Sequence, residues 1–354
     1  MAGTFTTQNK VRPGVYINFS TEASLAIELS DRGTVALPLS LSWGPVGSII
    51  EVNQGESTFP KLGYELSDPK LLLLREALKR AQKALVYRVN EGTAATATLA
   101  TDVVATAKYK GARGNDITVR ITENGAAWDV ETLVSGKSVD VQTGLTDVSD
   151  FIANDWISIT GTGVFAATTQ TLTGGADDNS ELNHAGFLAA LQVQDYNTIA
   201  CFSTNPADQT LYINHVTSER ANNGKMVQCV MANNTADKEY VISVKNGVKL
   251  SDGTLLTAAE ACAWVAGATA AAKVNQSLTF AKYEGAVDAN PRLTNAEIEA
   301  AITAGHMVFT AKNGYAVVEY DINSLTSFAA PKSKAWRSNR VMRVLDAFQT
   351  DVQE

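Results

Sequence analysis

The sequence changes its pattern abruptly near residue 93 and again near residue 172. Between these points it is rich in Thr, Val, Gly and Asn, alternates apolar and polar residues, and has almost no helical run. A period of two is typical of β-strands with one buried face. The pair Asn124–Gly125 supplies the positive φ of a tight hairpin turn. We therefore predict an all-β domain at residues 93–172.

Helix and strand patterns alternate on both sides of this block. Before it, Asp68–Pro69 begins a helix with leucines at helical spacing, and a strand follows at Ala84–Val89. After it, helices and buried strands recur, the pair Asn313–Gly314 predicts a second hairpin, and Gly175–Leu182 has the acidic composition of a helix start. The prediction is an α/β (α+β) core domain formed by residues 23–92 plus 173–354, with the β-rich domain inserted into it.

The first residues contain a strand pattern that has no partner nearby in the sequence. After the helix-breaking Pro13–Gly14 pair, apolar and polar side chains alternate as far as Phe19. Such a strand must pair somewhere, because its backbone groups and apolar face cannot all remain in water. We predict an extended N-terminal arm at residues 1–22, with pairing inside its own subunit as the alternative. The pairing segment comprises Val11, Arg12, Pro13, Gly14, Val15, Tyr16, Ile17, Asn18 and Phe19.

Charge and hydropathy exclude several classes of protein. The net charge of −8 argues against a nucleic-acid-binding protein, which needs a basic face to displace counterions. The sequence has no polybasic cluster of the kind that binds membranes directly. None of its apolar stretches approaches the roughly 20 residues of a membrane span. The first ten residues lack the basic and apolar regions of a secretory signal, which predicts synthesis in a cytoplasm.

The sequence offers no pattern of catalytic, metal-binding or cofactor-binding residues. It contains no Gly-Lys-Ser/Thr phosphate cradle, no dinucleotide fingerprint after a strand and no Gly-x-Ser-x-Gly elbow. The histidines lack the paired spacing of zinc ligands: His184, His215 and His306. The cysteines lie in apolar runs, which predicts buried reduced thiols: Cys201, Cys229 and Cys262. We therefore expect no catalytic site, metal or cofactor.

Five segments, in order along the chain, carry a family resemblance. They are RPGVYINF at the N-terminus, AKYKGARGNDITVRI at residues 107–121, LTGGAD at 172–177, the run at 275–325, and SNRVMRVLDAF at 338–348. Together they resemble the tail sheath protein of contractile phage tails and phage-tail-like bacteriocins, particularly the sheaths of defective-prophage-like elements in Gram-positive bacteria.

The resemblance implies a structural subunit and not an enzyme. Such a subunit polymerises as six-fold helical rings around an inner tube and contracts from a metastable extended state, driving the tube through a target envelope. The implied partners are further copies of the chain, the tube protein, and the baseplate and tail terminator proteins. The particle would be made in a bacterial cytoplasm and released by lysis. The N-terminal arm would add a strand to a neighbouring subunit, and the β domain would lie outermost.

The terminal helical pattern suggests a contact with the inner tube. Its candidate contact residues are Arg337, Asn339, Arg340 and Arg343, and its apolar stripe comprises Val341, Val344, Leu345, Phe348 and Val352. The alternative is a helix with its basic face in solvent and its other face buried. Many sheath proteins continue beyond this helix, so we expect either a truncated form or a C-terminal domain and arm that are partly missing or differently built.

Two other functions fit parts of the sequence. An α/β enzyme with a β insertion would show the same alternation of elements, but it requires a site that the sequence does not offer. A surface adhesin-like module would account for the Thr- and Val-rich middle block, but it would normally carry a secretion signal.

Overall fold

The structure is a computed structural model that describes residues 32–353, with side chains to residue 350. The predicted arm at residues 1–22 lies outside the described residues. The described chain is a mixed α/β protein, which confirms the predicted fold class.

The described residues form seven α-helices and twenty strands. The helices are α1 Phe59–Leu62, α2 Leu72–Leu78, α3 His184–Leu191, α4 Pro206–Asn222, α5 Ala258–Ala271, α6 Asn295–Thr303 and α7 Asn339–Gln353. The first ten strands are β1 Thr34–Leu39, β2 Ile49–Asn53, β3 Lys83–Arg88, β4 Glu91–Thr93, β5 Thr96–Ala100, β6 Val103–Ala107, β7 Ile117–Asn124, β8 Ala127–Val134, β9 Lys137–Leu145 and β10 Ile157–Gly161. The others are β11 Thr168–Thr171, β12 Ala176–Asp178, β13 Thr198–Cys201, β14 Gln228–Ala232, β15 Val241–Val244, β16 Gly247–Leu250, β17 Ala286–Asn290, β18 His306–Met307, β19 Phe309–Lys312 and β20 Tyr315–Val318.

A seven-stranded sheet forms the centre of the core. Its strand order is β18-β15-β14-β13-β1-β3-β2, and all neighbours are parallel except β2 and β3. Strand β1 is buried from Val35 to Leu39, as expected for a strand covered on both faces. Because the chain moves from β1 to β3 on one side and later to β13 and β14 on the other, the winding reverses between β1 and β13.

Helices cover both faces of this sheet. Helices α2 and α5 pack on one face, and α3 and α4 pack on the other. Small residues let α5 approach its neighbours closely: a Cβ at Gly267 would collide with the carbonyl of Ala77 in α2. Leu71, Leu74 and Leu78 are buried here, as their helical spacing predicts.

Residues 91–178 form the β-rich part of the chain. Strands β11-β7-β8-β9 form one sheet and β10-β6-β5 another, and a bridge between Thr96 and Thr173 joins them. The opposite side, between β9 and the segment before β10, is closed by side chains. The Gln142 amide donates to the Ile152 carbonyl at 2.7 Å and accepts from its N–H at 3.0 Å. Gln142 thereby makes the pair of hydrogen bonds that a neighbouring strand would make.

Aromatic side chains attach the β-rich part to the core domain. Trp43, which follows β1, is fully buried in the interior of the β-rich part. Its ring stacks on Trp156 with centroids 4.9 Å apart, and Phe59 contacts the same indole at 5.0 Å. Arg113 Nε also donates to the Gly63 carbonyl at 2.9 Å. The two parts therefore share a packed interface as well as two chain connections.

Local sequence signals agree with the structure in most places and fail in one. Both predicted hairpins form, and the φ angles of Gly125, Asn313 and Gly314 are positive, as these turns require. The expected acidic helix start at residues 175–182 is wrong. Residues 176–178 form β12, which pairs with β4, and the helix begins only after the N-cap residue Asn183.

Candidate interaction surfaces

Helix α7 is attached to the core domain through charged and polar side chains. Arg343 has no exposed surface, and its Nη2 donates to Asp321 Oδ2 at 2.8 Å. Asn339 Nδ2 donates to the other oxygen of this carboxylate at 2.8 Å, and the Leu278 N–H donates to Oδ2 at 2.9 Å. The Asp321 carboxylate is therefore fully buried, hydrogen-bonded and paired with a guanidinium.

A second buried ion pair holds the next turn of α7. Asp346 accepts two hydrogen bonds from Arg220 of α4, at 2.5 and 3.1 Å. Burial raises the pKa of Asp346, and the nearby Arg220 and Arg32 oppose that shift. Arg32 Nε donates to the Ala272 carbonyl at the end of α5, at 3.2 Å. Burial and the neighbouring Arg343 lower the pKa of Arg32 to about 10.

The opposite face of α7 is apolar and exposed. Phe348 is 68% exposed, Val344 43% and Leu345 37%. At 100° per residue these three side chains point away from Arg343 and Asp346. The polar face is thus buried and the apolar face is uncovered, the reverse of an ordinary amphipathic surface helix. A contiguous exposed apolar stripe is a mark of an interaction surface.

The structure separates the four residues predicted to contact a tube. Asn339 and Arg343 are buried in the ion-pair network, and Arg337 is half-buried with Nη2 donating to the Thr303 carbonyl at 3.3 Å. Arg340 is exposed. The alternative interpretation, a helix with a solvated basic face and a buried apolar face, is wrong, because Asp321 requires the positive charge of Arg343 in the interior. The tube contact itself stays a prediction.

Sequence reasoning missed the residues that orient α7. Asn339, Arg343 and Asp346 recur at positions i, i+4 and i+7, a polar stripe at helical spacing that was present in the sequence. Asp321 lies 22 residues before its partner Arg343, and Arg220 lies 126 residues before its partner Asp346. No local pattern therefore indicates the pairing. The apolar stripe was recognised, but the sequence does not show which side it faces.

The cysteines and histidines are built into the core. All three cysteines are free and buried, which confirms the prediction of reduced core thiols, and burial raises the pKa of Cys201 to about 12. Each histidine shares a 2.8 Å hydrogen bond with a hydroxyl: His184 with Tyr212, His215 with Tyr196, and His306 with Ser243. Burial lowers the pKa of each of these histidines, so the rings are neutral at pH 7.

One serine, aspartate and histidine lie close together but lack the geometry of a catalytic triad. Ser203 Oγ donates to Asp208 Oδ2 at 2.6 Å, and His184 Nε2 lies 3.7 Å from the same oxygen. In a triad the histidine bonds the serine and the aspartate bonds the histidine. Over residues 32–353, no three His, Cys, Asp or Glu side chains are grouped as metal ligands. Within this range no helix has the length and apolarity to cross a membrane.

Three consecutive stretches of the chain match models of known domains. Residues 32–89 match the tail sheath protein Gp18 domain III N-terminal region, residues 90–178 the phage tail sheath protein beta-sandwich domain, and residues 175–324 the phage tail sheath protein central domain. The chain is also 40% identical over 378 residues to the phage-like element PBSX protein XkdK of Bacillus subtilis (strain 168), covering 99% of this chain and 81% of that protein. The chain belongs to the phage tail sheath family.

Solved sheath structures share the fold of this sheath chain. The sheath tail protein of Desulfitobacterium hafniense has 48% identity and a TM-score of 0.88, covering 96% of this chain and 82% of that chain. The sheath tail protein Lin1278 of Listeria innocua has 41% identity and a TM-score of 0.83, covering 91% and 76%. The resemblance seen in the sequence is therefore confirmed, and the sheath chain is a structural component of a phage tail or tail-like particle.

Proposed function

We propose that this sheath chain polymerises as a helical array of six-fold rings around an inner tube and contracts from a metastable extended state. Membership of the sheath family supports the proposal. The observation that carries it is the uncovered apolar face of α7. The exposed stripe of Val344, Leu345 and Phe348 would be buried by contact with a partner surface, as exposed apolar patches of proteins commonly are. The tube is that partner in this proposal, and Arg340 lies at the same surface.

The work of contraction comes from subunit contacts in this proposal. No nucleotide-binding motif was found in the sequence, so the two packings of the polymer must differ in contact free energy. A few kcal/mol per subunit, summed over many linked subunits, would make contraction effectively irreversible. The N-terminal arms keep subunits linked by strand addition while the domains move as rigid bodies. Baseplate and tail terminator proteins would fix the two ends of the array.

Electron microscopy tests the proposal directly. Negatively stained full-length protein, alone and mixed with the cognate tube protein, should form hollow tubes or rings of constant diameter. Tubes formed around the tube protein should shorten and widen after mild destabilisation, such as low concentrations of urea. Discrete particles under all of these conditions would contradict a sheath polymer and favour an enzyme or an adhesin-like module.

The β-rich part is proposed to lie on the outside of the polymer, where it makes no essential subunit contact. Replacing residues 93–172 with a short Gly/Ser linker should therefore leave a soluble protein that still forms tubes. The ends can be joined, because the retained residue Gly92 pairs with Asp177 between β4 and β12. The deletion uncovers Trp43 and Phe59, so the variant also carries Trp43→Ser and Phe59→Ser.

The matched control for this deletion is the full-length chain with the same two serine substitutions. Circular dichroism should show that the deletion variant is folded, and sedimentation should show that it polymerises. A folded deletion variant that stays monomeric would mean that the β-rich part makes subunit contacts that the polymer needs.

A further inference from the structure

A cavity of about 240 Å³ opens at the carboxyl ends of the parallel strands β1 and β13. Two of the residues that line it, Ser40 and Lys70, are exposed to solvent. The remaining walls are mainly apolar, and their apolar side chains comprise Leu39, Leu73, Leu74, Val89, Leu182 and Phe202. The cavity therefore offers apolar walls with an exposed positive charge beside them, a lining that suits an apolar group with a negative charge nearby.

The opposite end of the same sheet carries an exposed apolar side chain. Val193 lies in the loop between α3 and β13, before the amino end of a strand whose carboxyl end borders the cavity. It is 83% exposed, the highest value among the large apolar side chains of the described residues. Asp195, two residues later, is fully exposed, and its Oδ1 lies 3.9 Å from Lys225 Nζ. The loop thus presents an apolar side chain next to a negative charge.

Hydrogen bonds order the loop around Val193. Lys225 Nζ donates to the carbonyls of Gln192 and Gln194, on either side of Val193, both at 2.8 Å. The Gln194 N–H also donates to the Leu191 carbonyl at 3.0 Å. A single exposed apolar side chain is ordinary on a protein surface. One that is presented by an ordered loop, however, loses little conformational entropy when a partner buries it.

Helix α3 lies between the cavity and this loop. Leu182 and His184, just before and at the first residue of the helix, line the cavity, and Val193 follows its last residue, Leu191. With 8 residues the helix is about 12 Å long. Because the cavity and Val193 are at opposite ends of one sheet, they do not meet within one chain. Two copies placed head to tail would bring them together, and such a heterologous contact can repeat along a helical array.

We propose that Val193 of one copy enters the cavity of the next copy, with Asp195 of the first beside Lys70 of the second. The charges agree with this pairing, since the carboxylate accompanies the valine and the ammonium accompanies the cavity. The contact rests on the proposed polymer, to which it adds one named interaction between copies. It is separate from the α7 surface and from the N-terminal arm.

Substitution of the valine tests the contact in the full-length chain. Val193→Asp would place a charge in the apolar cavity, so the lowest protein concentration at which tubes form should rise at least about tenfold. Val193→Leu should lower this critical concentration about fourfold, because the cavity is larger than a valine side chain and one more methylene group is buried. Sedimentation measures the critical concentration, and circular dichroism verifies folding.

Val164→Asp is the matched control for the charge. Val164 is 69% exposed in the β-rich part, so the same substitution there should leave the critical concentration unchanged. An unchanged critical concentration for folded Val193→Asp would overturn the proposed contact. Tube formation by the unmodified chain would at the same time leave the sheath polymer itself supported.

Exchange of the two charges tests their pairing. Lys70→Glu and Asp195→Lys each place like charges opposite one another, so each should raise the critical concentration about tenfold. The double variant restores opposite charges and should return to within about twofold of the unmodified chain. Asp155→Lys, at a side chain that is 78% exposed in the β-rich part, controls for the change in net charge. A double variant that assembles no better than the single variants would overturn the pairing.

Cross-linking tests the contact without relying on tubes. The three native cysteines are buried, so Val193→Cys and Leu182→Cys each introduce an accessible thiol. A mixture of these two variants, treated with a short bismaleimide, should give a covalent dimer. Val193→Cys mixed with Val164→Cys should not. Absence of the first dimer would overturn the contact even if tubes form. If the dimer forms and tubes do not, the contact stands and the polymer proposal fails.

Discussion

Deleting Met1 to Phe19 is expected to leave a folded subunit that no longer forms tubes. The double substitution Val15→Asp and Ile17→Asp should have the same effect. The strand pattern has no partner nearby in the sequence, and the described residues 32–350 bury a core among themselves. Removing the arm should therefore cost little within the subunit, while in the proposed polymer it deletes a strand of hydrogen bonds between subunits. A buried unpaired aspartate adds a penalty of about 3–5 kcal/mol per link.

The failure of assembly should be cooperative, because every subunit repeats the same defect. Sedimentation measures tube formation, and thermal melting measures the stability of the subunit. Asn18→Asp is the matched control: it introduces the same charge on the polar side of the strand, so tubes should still form. Tube formation by the deletion variant would show that the arm does not link subunits. A large drop in its melting temperature would instead place the strand in its own subunit's core.

Replacing Arg343 with Met is expected to cause the largest loss of stability from a single side chain. The substitution leaves the buried Asp321 carboxylate without its counter-charge, which costs about 3–5 kcal/mol of the free energy of unfolding. Arg340→Met is the matched control on the same helix, because Arg340 is exposed. It should change the free energy of unfolding by about 0.5 kcal/mol or less. Urea unfolding followed by circular dichroism measures both variants.

A further substitution checks the cause of this loss. Adding Asp321→Asn to Arg343→Met removes the unpaired charge and keeps one of the two oxygens, which can still accept from either Leu278 or Asn339. The double variant should therefore recover part of the lost stability. The two single variants also separate folding from tube contact, since Arg340→Met should affect only assembly on the tube protein. Equal stability losses for Arg340→Met and Arg343→Met would show that burial of the ion pair does not matter.

Local patterns predicted the parts of the fold that depend on neighbouring residues. The hairpins at Gly125 and at Asn313–Gly314 depend on positive φ at the turn, and α2 depends on apolar spacing over two turns. The strand β12 was missed because its pairing with β4 spans more than eighty residues, while its own aspartates favour a helix start.

The orientation of α7 could not be predicted for the same physical reason. Hydrophobic periodicity identified the helix and its two faces, but the face that enters the core is decided by Asp321 and Arg220, which lie outside the helix. Charge complementarity between distant segments leaves no periodic trace in a sequence.

The closure of the β-rich part by Gln142 has a consequence for crowding. In the proposed polymer many copies of the β-rich part would lie side by side on the outside, where the surfaces of neighbouring particles could meet. An open β9 edge on each copy would then be a template for sheets that grow from one tube to the next. With the Gln142 side chain bonded to the carbonyl and the N–H of Ile152 at 2.7 and 3.0 Å, these two main-chain groups beside β9 are not available to an incoming strand. A single glutamine side chain in each subunit would thus remove one main-chain site at which a strand of a neighbouring particle could pair.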